Sequence, residues 1–145
     1  MKTLQTLSIA LLSSLAINTW AASVQDCHDS RFGIAAIEAG SEKQYANKDI
    51  TAYSLDSIEP AAFARGVAIN VWAYPEEMSY VQCFIVSGLS GLDWNRKSAE
   101  YVDGKGLVIT VPASEMTSDG DFRNFDLKIA VDRSDRANPK VSILN

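Results

Sequence analysis

The stretch FDLKIAVD at residues 125–132 indicates the fold class, because apolar side chains at its odd positions alternate with mainly polar ones. A period of two puts the apolar side chains on one face of a β-strand and the polar ones on the other. We therefore expect a half-buried antiparallel strand here. The same alternation at Val67, Ile69 and Val71 predicts a second strand, which ends before Pro75 because proline cannot continue a central ladder.

Five other segments have the apolar composition of strands. Residues 80–86 are apolar at both parities, which predicts a central strand with Val81, Cys83 and Ile85 on its core side. The remaining segments are residues 32–36, 49–55, 107–111 and 141–143. Residues 49–55 are the weakest of these.

These segments make about seven short strands, separated by turns such as Asp103-Gly104-Lys105-Gly106. This pattern predicts an all-β fold, and we expect an immunoglobulin-like antiparallel β-sandwich. At most one short helical turn is expected, over residues 59–65, where Pro60 takes the tolerated first position. The length suits one domain with one core.

The first residues are typical of an export signal. Lys2 precedes an apolar run at residues 7–17, and small side chains follow at Thr19 and Ala21. The run is shorter than the roughly 20 residues that a membrane-spanning helix needs. Cleavage of residues 1–21 would leave a mature domain of residues 22–145 with no membrane anchor, and we expect a periplasmic or secreted bacterial protein.

Two cysteines belong to the expected mature chain, Cys27 and Cys83. A widely separated pair in an oxidising compartment favours one disulfide. The alternative is a redox or nucleophilic thiol, but neither residue lies in a Cys-x-x-Cys arrangement that would lower a thiol pKa.

Charge and composition make several functions improbable. The chain has a net charge of −5 and scattered basic residues, which disfavours nucleic acid and anionic membranes as partners. His28 is the only histidine, so histidine-based catalysis and a zinc site are both improbable. Asp119 and Asp121 offer oxygen ligands that suit calcium, but a solvated turn is the simpler interpretation. We predict no metal, no cofactor and no enzymatic activity.

The aromatic residues point to a binding surface. If Val71 faces the core, Trp72 and Tyr74 lie on the opposite face, beside the acidic pair Glu76 and Glu77. Tryptophan and tyrosine bury large areas at interfaces and lose little side-chain entropy. We also place Trp94 in this candidate partner-binding site. The alternative is structural, with Trp72 beneath the 60–65 turn or over a sheet edge.

Two classes of function follow. The first is an exported, non-catalytic binding module for another cell-envelope or secreted protein, such as an inhibitor or immunity-type protein. The second is an assembly subunit of a fimbria-like surface structure, which pairs by adding strands. A carboxylate-based enzyme ranks last. The identity of the partner and the oligomeric state are open at this stage.

Overall fold

The chain folds into a β-sandwich of two antiparallel sheets with five strands each, as the alternating pattern predicts. The structure, a computed structural model, describes residues 22–30, 32, 36–57 and 64–144. The strands are β1 (Ser23–Asp26), β2 (Lys43–Tyr45), β3 (Ile50–Asp56), β4 (Arg65–Ala73), β5 (Tyr80–Leu89), β6 (Gly91–Leu92), β7 (Ser98–Val102), β8 (Gly106–Met116), β9 (Phe122–Asp132) and β10 (Lys140–Leu144).

Most strands pair with their neighbours in the chain. The first sheet has the order β1-β5-β4-β3-β2, so four consecutive strands form a meander and β1 closes its far side. The second sheet has the order β10-β9-β8, and β6 and β7 both pair with the remaining edge of β8. The chain crosses between the sheets at Ser90, since β5 ends and β6 begins on either side of it.

The main core lies between the two sheets. Alternate residues of β3, β4 and β5 meet alternate residues of β8 and β9, and the most deeply buried side chains belong to these strands. They are Ile50, Val67, Ile69, Val71, Val86, Leu89, Ile109, Val111, Leu127, Ile129 and Val131. The strands predicted around 49–55, 67–71, 107–111, 125–131 and 141–143 are confirmed.

A smaller cluster covers the outer face of the first sheet. Phe32 and Ala36 pack there on Leu55, Ala68 and Ile85. The predicted disulfide is confirmed at the same face, where Cys27 is bonded to Cys83 with a Cα–Cα distance of 5.4 Å. The disulfide therefore ties the segment after β1 to the outside of β5.

The predicted orientation of β5 is wrong. Val86 is in the main core, whereas Val81, Cys83 and Ile85 face outward, because their register partners Trp72, Asn70 and Ala68 do so. The strand is apolar at both parities because its inner face belongs to the main core and its outer face contributes Ile85 to the smaller cluster. Periodicity therefore could not tell the inner face from the outer one.

Other differences concern short or exposed elements. The sequence missed β1, β2 and β6, which have four residues or fewer, and β7, whose side chains are all exposed and therefore show no apolar period. Single 3₁₀ turns occur at Cys27–Asp29, Ala46–Lys48 and Trp94–Arg96. The signal segment 1–21 and most of the predicted helical turn lie outside the described residues, as do three of the five positions of the predicted 32–36 strand.

Candidate functional site

The candidate site is an aromatic surface on the outer face of the first sheet, at the end of the β4–β5 hairpin. We call Trp72, Tyr74 and Val81 the hairpin patch. Trp72 and Val81 are register partners, and they are 40% and 43% exposed. Val71 and Ala73, the neighbours of Trp72 in β4, are fully buried in the core. The predicted inward and outward assignment along β4 is thus confirmed.

Tyr74 is held rigidly beside Trp72. Its hydroxyl donates a 2.6 Å hydrogen bond to the Asp49 carboxylate, and its backbone N–H donates to the Arg136 carbonyl at 2.8 Å. The Trp72 and Tyr74 ring centroids are 6.4 Å apart at an interplanar angle of 27°. The Arg136 guanidinium lies 4.6 Å from the Tyr74 centroid, within the range of a cation–π contact. The Tyr74 ring is therefore held in place beside Trp72 before any partner arrives.

Asp49 connects this patch to the rest of the sandwich. Besides Tyr74, its carboxylate accepts a hydrogen bond from the Arg133 guanidinium, and its backbone carbonyl accepts one from the Trp72 N–H at 2.9 Å. The pKa of Asp49 lies below its ordinary value, first because of the Tyr74 hydrogen bond and then because of Arg133, while burial opposes the change. The same hydrogen bond raises the pKa of Tyr74. At neutral pH the carboxylate is charged and the phenol is neutral.

A strained turn precedes Asp49. Ala46, Asn47 and Lys48 have φ angles of 51°, 55° and 73°, so three successive residues without glycine take the left-handed conformation. Asparagine tolerates this region, but alanine and lysine rarely adopt it, at a cost of roughly 1–2 kcal/mol per residue. Such strain persists where the surrounding structure fixes the chain, and it concentrates at functional sites. Here the strained turn lies directly before Asp49, which precedes β3.

The acidic neighbours predicted for the site are accessible. Glu76 and Glu77 lie in the loop that joins β4 to β5, and both are exposed. Met78 in the same loop is 75% exposed. The loop thus extends the hairpin patch with an apolar side chain and two carboxylates.

Trp94 corrects the predicted site, because it is a core residue. It is 7% exposed, and its indole N–H donates a 2.6 Å hydrogen bond to the Ser41 carbonyl. Ser41 in turn accepts a hydrogen bond from the N–H of Ser54, near the end of β3, whereas Asp49 precedes its start. Trp94 therefore belongs to the opposite end of β3 from the hairpin patch and offers no ring face to a partner.

Sequence reasoning missed the residues that organise the patch. Asp49 and Arg133 are 84 positions apart, and no local motif links them to each other or to Tyr74. The only sequence signal was the presence of charged residues just outside strand ends. That signal did not indicate which charged residues would contact each other or Tyr74.

Other residues considered from the sequence are not part of the hairpin patch. His28 is exposed in the 3₁₀ turn after β1, and its N–H donates to Asp26. Asp119 and Asp121 are exposed in the turn between β8 and β9. Within the described part of the chain, no three His, Cys, Asp or Glu side chains come together as a metal site. None of the helices in that part is long and apolar enough to span a membrane.

No protein-family model matches this sequence, and no curated protein or solved structure is significantly similar to it. The functional argument therefore depends on the chemistry of the site alone.

Proposed function

We propose that this protein is an exported, non-catalytic module that binds another protein of the cell envelope or the secreted space through the hairpin patch. The protein would act on its partner as an inhibitor or an immunity-type protein does. The observation that carries the proposal is the exposed Trp72 ring beside a Tyr74 ring that Asp49 and Arg136 already hold in place.

The physical argument is preorganisation. Exposed tryptophan and tyrosine are enriched at interface hot spots, where they desolvate large areas. Binding is stronger when the side chains need no ordering, because ordering an interface side chain costs about 0.5–1.5 kcal/mol. For Tyr74 this ordering cost is already included in folding, because Asp49 and Arg136 hold its ring. The partner would then desolvate Trp72 and Val81, with Glu76 and Glu77 at the polar rim.

The decisive experiment maps the contact rather than only the partner. A photo-crosslinking amino acid is placed at Val81 of the chain expressed with its signal, and crosslinked species are identified in the envelope fraction. We expect one crosslinked partner, whose yield falls at least tenfold when Trp72→Ala is added, while the thermal midpoint changes little. Equal crosslinking in the Trp72→Ala background, or none at all, would contradict the proposal.

Phe122→Ala is the matched control. Phe122 is 65% exposed at the start of β9, whereas the end of β9 leads to Arg133 and the hairpin patch. The variant removes an exposed aromatic ring, more accessible than Trp72, from the other end of the sandwich. Crosslinking at Val81 should be unaffected by it.

Export is part of the proposal and has a separate test. The disulfide fits a chain that folds in an oxidising compartment. Mass spectrometry of the mature protein from a periplasmic or culture fraction should give a first residue of Ala22. An intact Met1 on the folded, oxidised protein would exclude the proposed processing.

The second candidate is a subunit that assembles by strand pairing. The observation that favours it is the exposed edge of β7, for which β8 is the only strand partner among the described residues. β1 is not a free donor arm, since it pairs with β5 in its own sheet. Sedimentation of the mature protein distinguishes the two functions, because an assembly subunit forms homomultimers and a binding module does not.

A further inference from the structure

β7 is an exposed sheet edge. Its five residues pair in continuous register with β8, and β8 is its only strand partner among the described residues. All five side chains are exposed, and Tyr101 is 69% exposed. β7 contains no proline, and its single charged residue is Glu100.

The other edges of the sandwich are better protected. β1 and β10 end their sheets on the same side and contact each other. β2 has three residues and begins with Lys43. Natural sheets blunt their edges with charge, proline, bulges or short strands, because an open edge is a template for another chain. β7 is the long edge with the least of this protection.

The hydrogen-bonding groups that β7 turns outward can be assigned. On β8, the carbonyls of Ser114 and Pro112 accept from Ser90 and Asp93, so the even residues of β8 face the side on which β7 lies. Their register partners Ser98, Glu100 and Val102 therefore point toward β8.

The N–H and C=O groups of Ala99 and Tyr101 consequently point away from the sheet. The side chains of these two residues share the inner face with their partners Ile109 and Leu107, whereas Glu100 shares the outer face with Val108. Tyr101 and Val102 also line a groove of about 460 Å³ that reaches Ile50 of the other sheet. Apolar side chains beside Ala99 and Tyr101 would extend this inner face.

A second copy of β7 is a poor occupant. An antiparallel two-fold pair uses all the outward groups only when Ala99 of each copy lies opposite Tyr101 of the other. That register places Glu100 directly opposite Glu100, and like charges across a strand pair are destabilising. A foreign strand with lysine or arginine at this position would instead gain a cross-strand ion pair.

We propose that β7 docks an extended segment of another protein, which adds antiparallel to the second sheet with a basic residue opposite Glu100 and apolar residues opposite Ala99 and Tyr101. Main-chain hydrogen bonds to Ala99 and Tyr101 give affinity, and Glu100 selects the charge. This surface contains none of the hairpin patch residues, so the proposal does not rest on the function proposed above.

The test uses capped synthetic peptides with the core Thr-Val-Lys-Val-Thr, and a matched set with glutamate in place of the lysine. Binding to the mature protein is followed by NMR titration and by amide exchange. We expect the lysine peptide to bind roughly tenfold more tightly and to slow exchange at Ala99 and Tyr101. A lysine peptide with proline at both valine positions should not bind.

The exposed substitution Glu100→Lys should reverse the preference between the two peptides, while Trp72→Ala should leave it unchanged. Reversal excludes simple attraction of a basic peptide to an acidic protein. Three outcomes would overturn the proposal: shifts mapped away from β7, equal affinity of both peptides, or no binding of either. A wild-type dimer that pairs through β7 would overturn it as well.

Discussion

Asp49 has the largest structural role of any single side chain at the candidate site. It accepts hydrogen bonds from Tyr74 and Arg133 and lies 4.0 Å from the Arg136 guanidinium. Its carboxylate thus joins the β2–β3 turn, the β4–β5 hairpin and the β9–β10 loop. Hydrogen bonds to charged groups stabilise a fold more than neutral ones do. Loss of this charge should loosen three loops together.

Asp49→Asn tests this role through its pH dependence. Because the folded pKa of Asp49 is depressed, the stability that it supplies is complete above the unfolded value of about 3.9 and is lost as pH falls through the folded pKa. Urea unfolding should find the variant less stable than the wild type at pH 7, with a gap that narrows below about pH 4. Tyr74 has the opposite sign, so the gap should also narrow as pH rises through its raised pKa, above about 10.

Glu76→Gln is the control, since it removes an exposed carboxylate near the same surface. A gap between wild type and Asp49→Asn that stays constant from pH 7 to pH 3 would show that the Asp49 carboxylate does not stabilise the fold through its charge.

At the residue scale, the sequence predicted the direction of a side chain only where strand parity decided it. Trp72 follows Val71 in a clearly alternating strand, so its outward direction could be inferred. Trp94 lies in a loop with no period, and its burial depends on the Ser41 carbonyl that meets its N–H. Trp94 and Ser41 are 53 positions apart, and no local pattern in the sequence indicates that they meet.

At the scale of elements, Gly106 fixes how β7, β8 and β9 fit together. It begins β8 with a φ of 81°, and a Cβ placed there would lie 2.3 Å from the Val131 carbonyl oxygen. Gly104 in the same hairpin has a φ of 70°, but a Cβ there would meet nothing within 4 Å. Both glycines adopt a left-handed conformation, but only Gly106 also has no room for a Cβ atom.

Gly106→Ala should therefore destabilise the protein more than Gly104→Ala. The second variant carries the left-handed penalty alone, about 1–2 kcal/mol, whereas the first must also displace a strand, which raises the loss to about 3 kcal/mol or more. Chemical denaturation of both variants measures the difference. Equal losses would show that β8 can move away from Val131 at no cost.

A strand was predictable from the sequence when one of its faces is buried and the other is exposed. β9 is polar on one face and buried on the other, so its period was plain. β7 is exposed on both faces and gave no signal, and β5 is apolar on both faces and gave an ambiguous one. The open edge that we propose as a docking surface was for this reason invisible in the sequence.

At the scale of the whole molecule, the disulfide ties the segment after β1 to the outer face of the first sheet. Cys27 and Cys83 are separated by 56 residues. A loop of that size corresponds to about 4 kcal/mol in the chain-entropy model. Cys27 also packs against the small cluster around Phe32.

Replacement of both cysteines by serine should lower the free energy of unfolding by about 4 kcal/mol. Guanidinium unfolding of the variant, beside the wild type with and without reductant, gives the value. The reduced wild type should behave like the variant. A loss below about 1 kcal/mol would mean that the outer cluster holds the segment after β1 without the disulfide.

The architecture of the molecule followed from patterns that many sandwiches share, which is why fold class was predictable and function was not. Periodicity reports which faces are buried, and cysteine spacing reports one long-range contact. The candidate site instead depends on which loops meet at one end of the sandwich. That arrangement is set by the register of the sheets, which no short segment encodes.

The position of β1 beside β5 also dictates an order of events during folding. The meander from β2 to β5 can form in the sequence in which the chain emerges, but β1 must wait as an unpaired end until its partner has been made. Pairings between distant segments are the slow ones. Formation of the Cys27–Cys83 disulfide should accordingly come late in refolding. The time at which this disulfide appears in quenched samples would therefore report when the first sheet is complete.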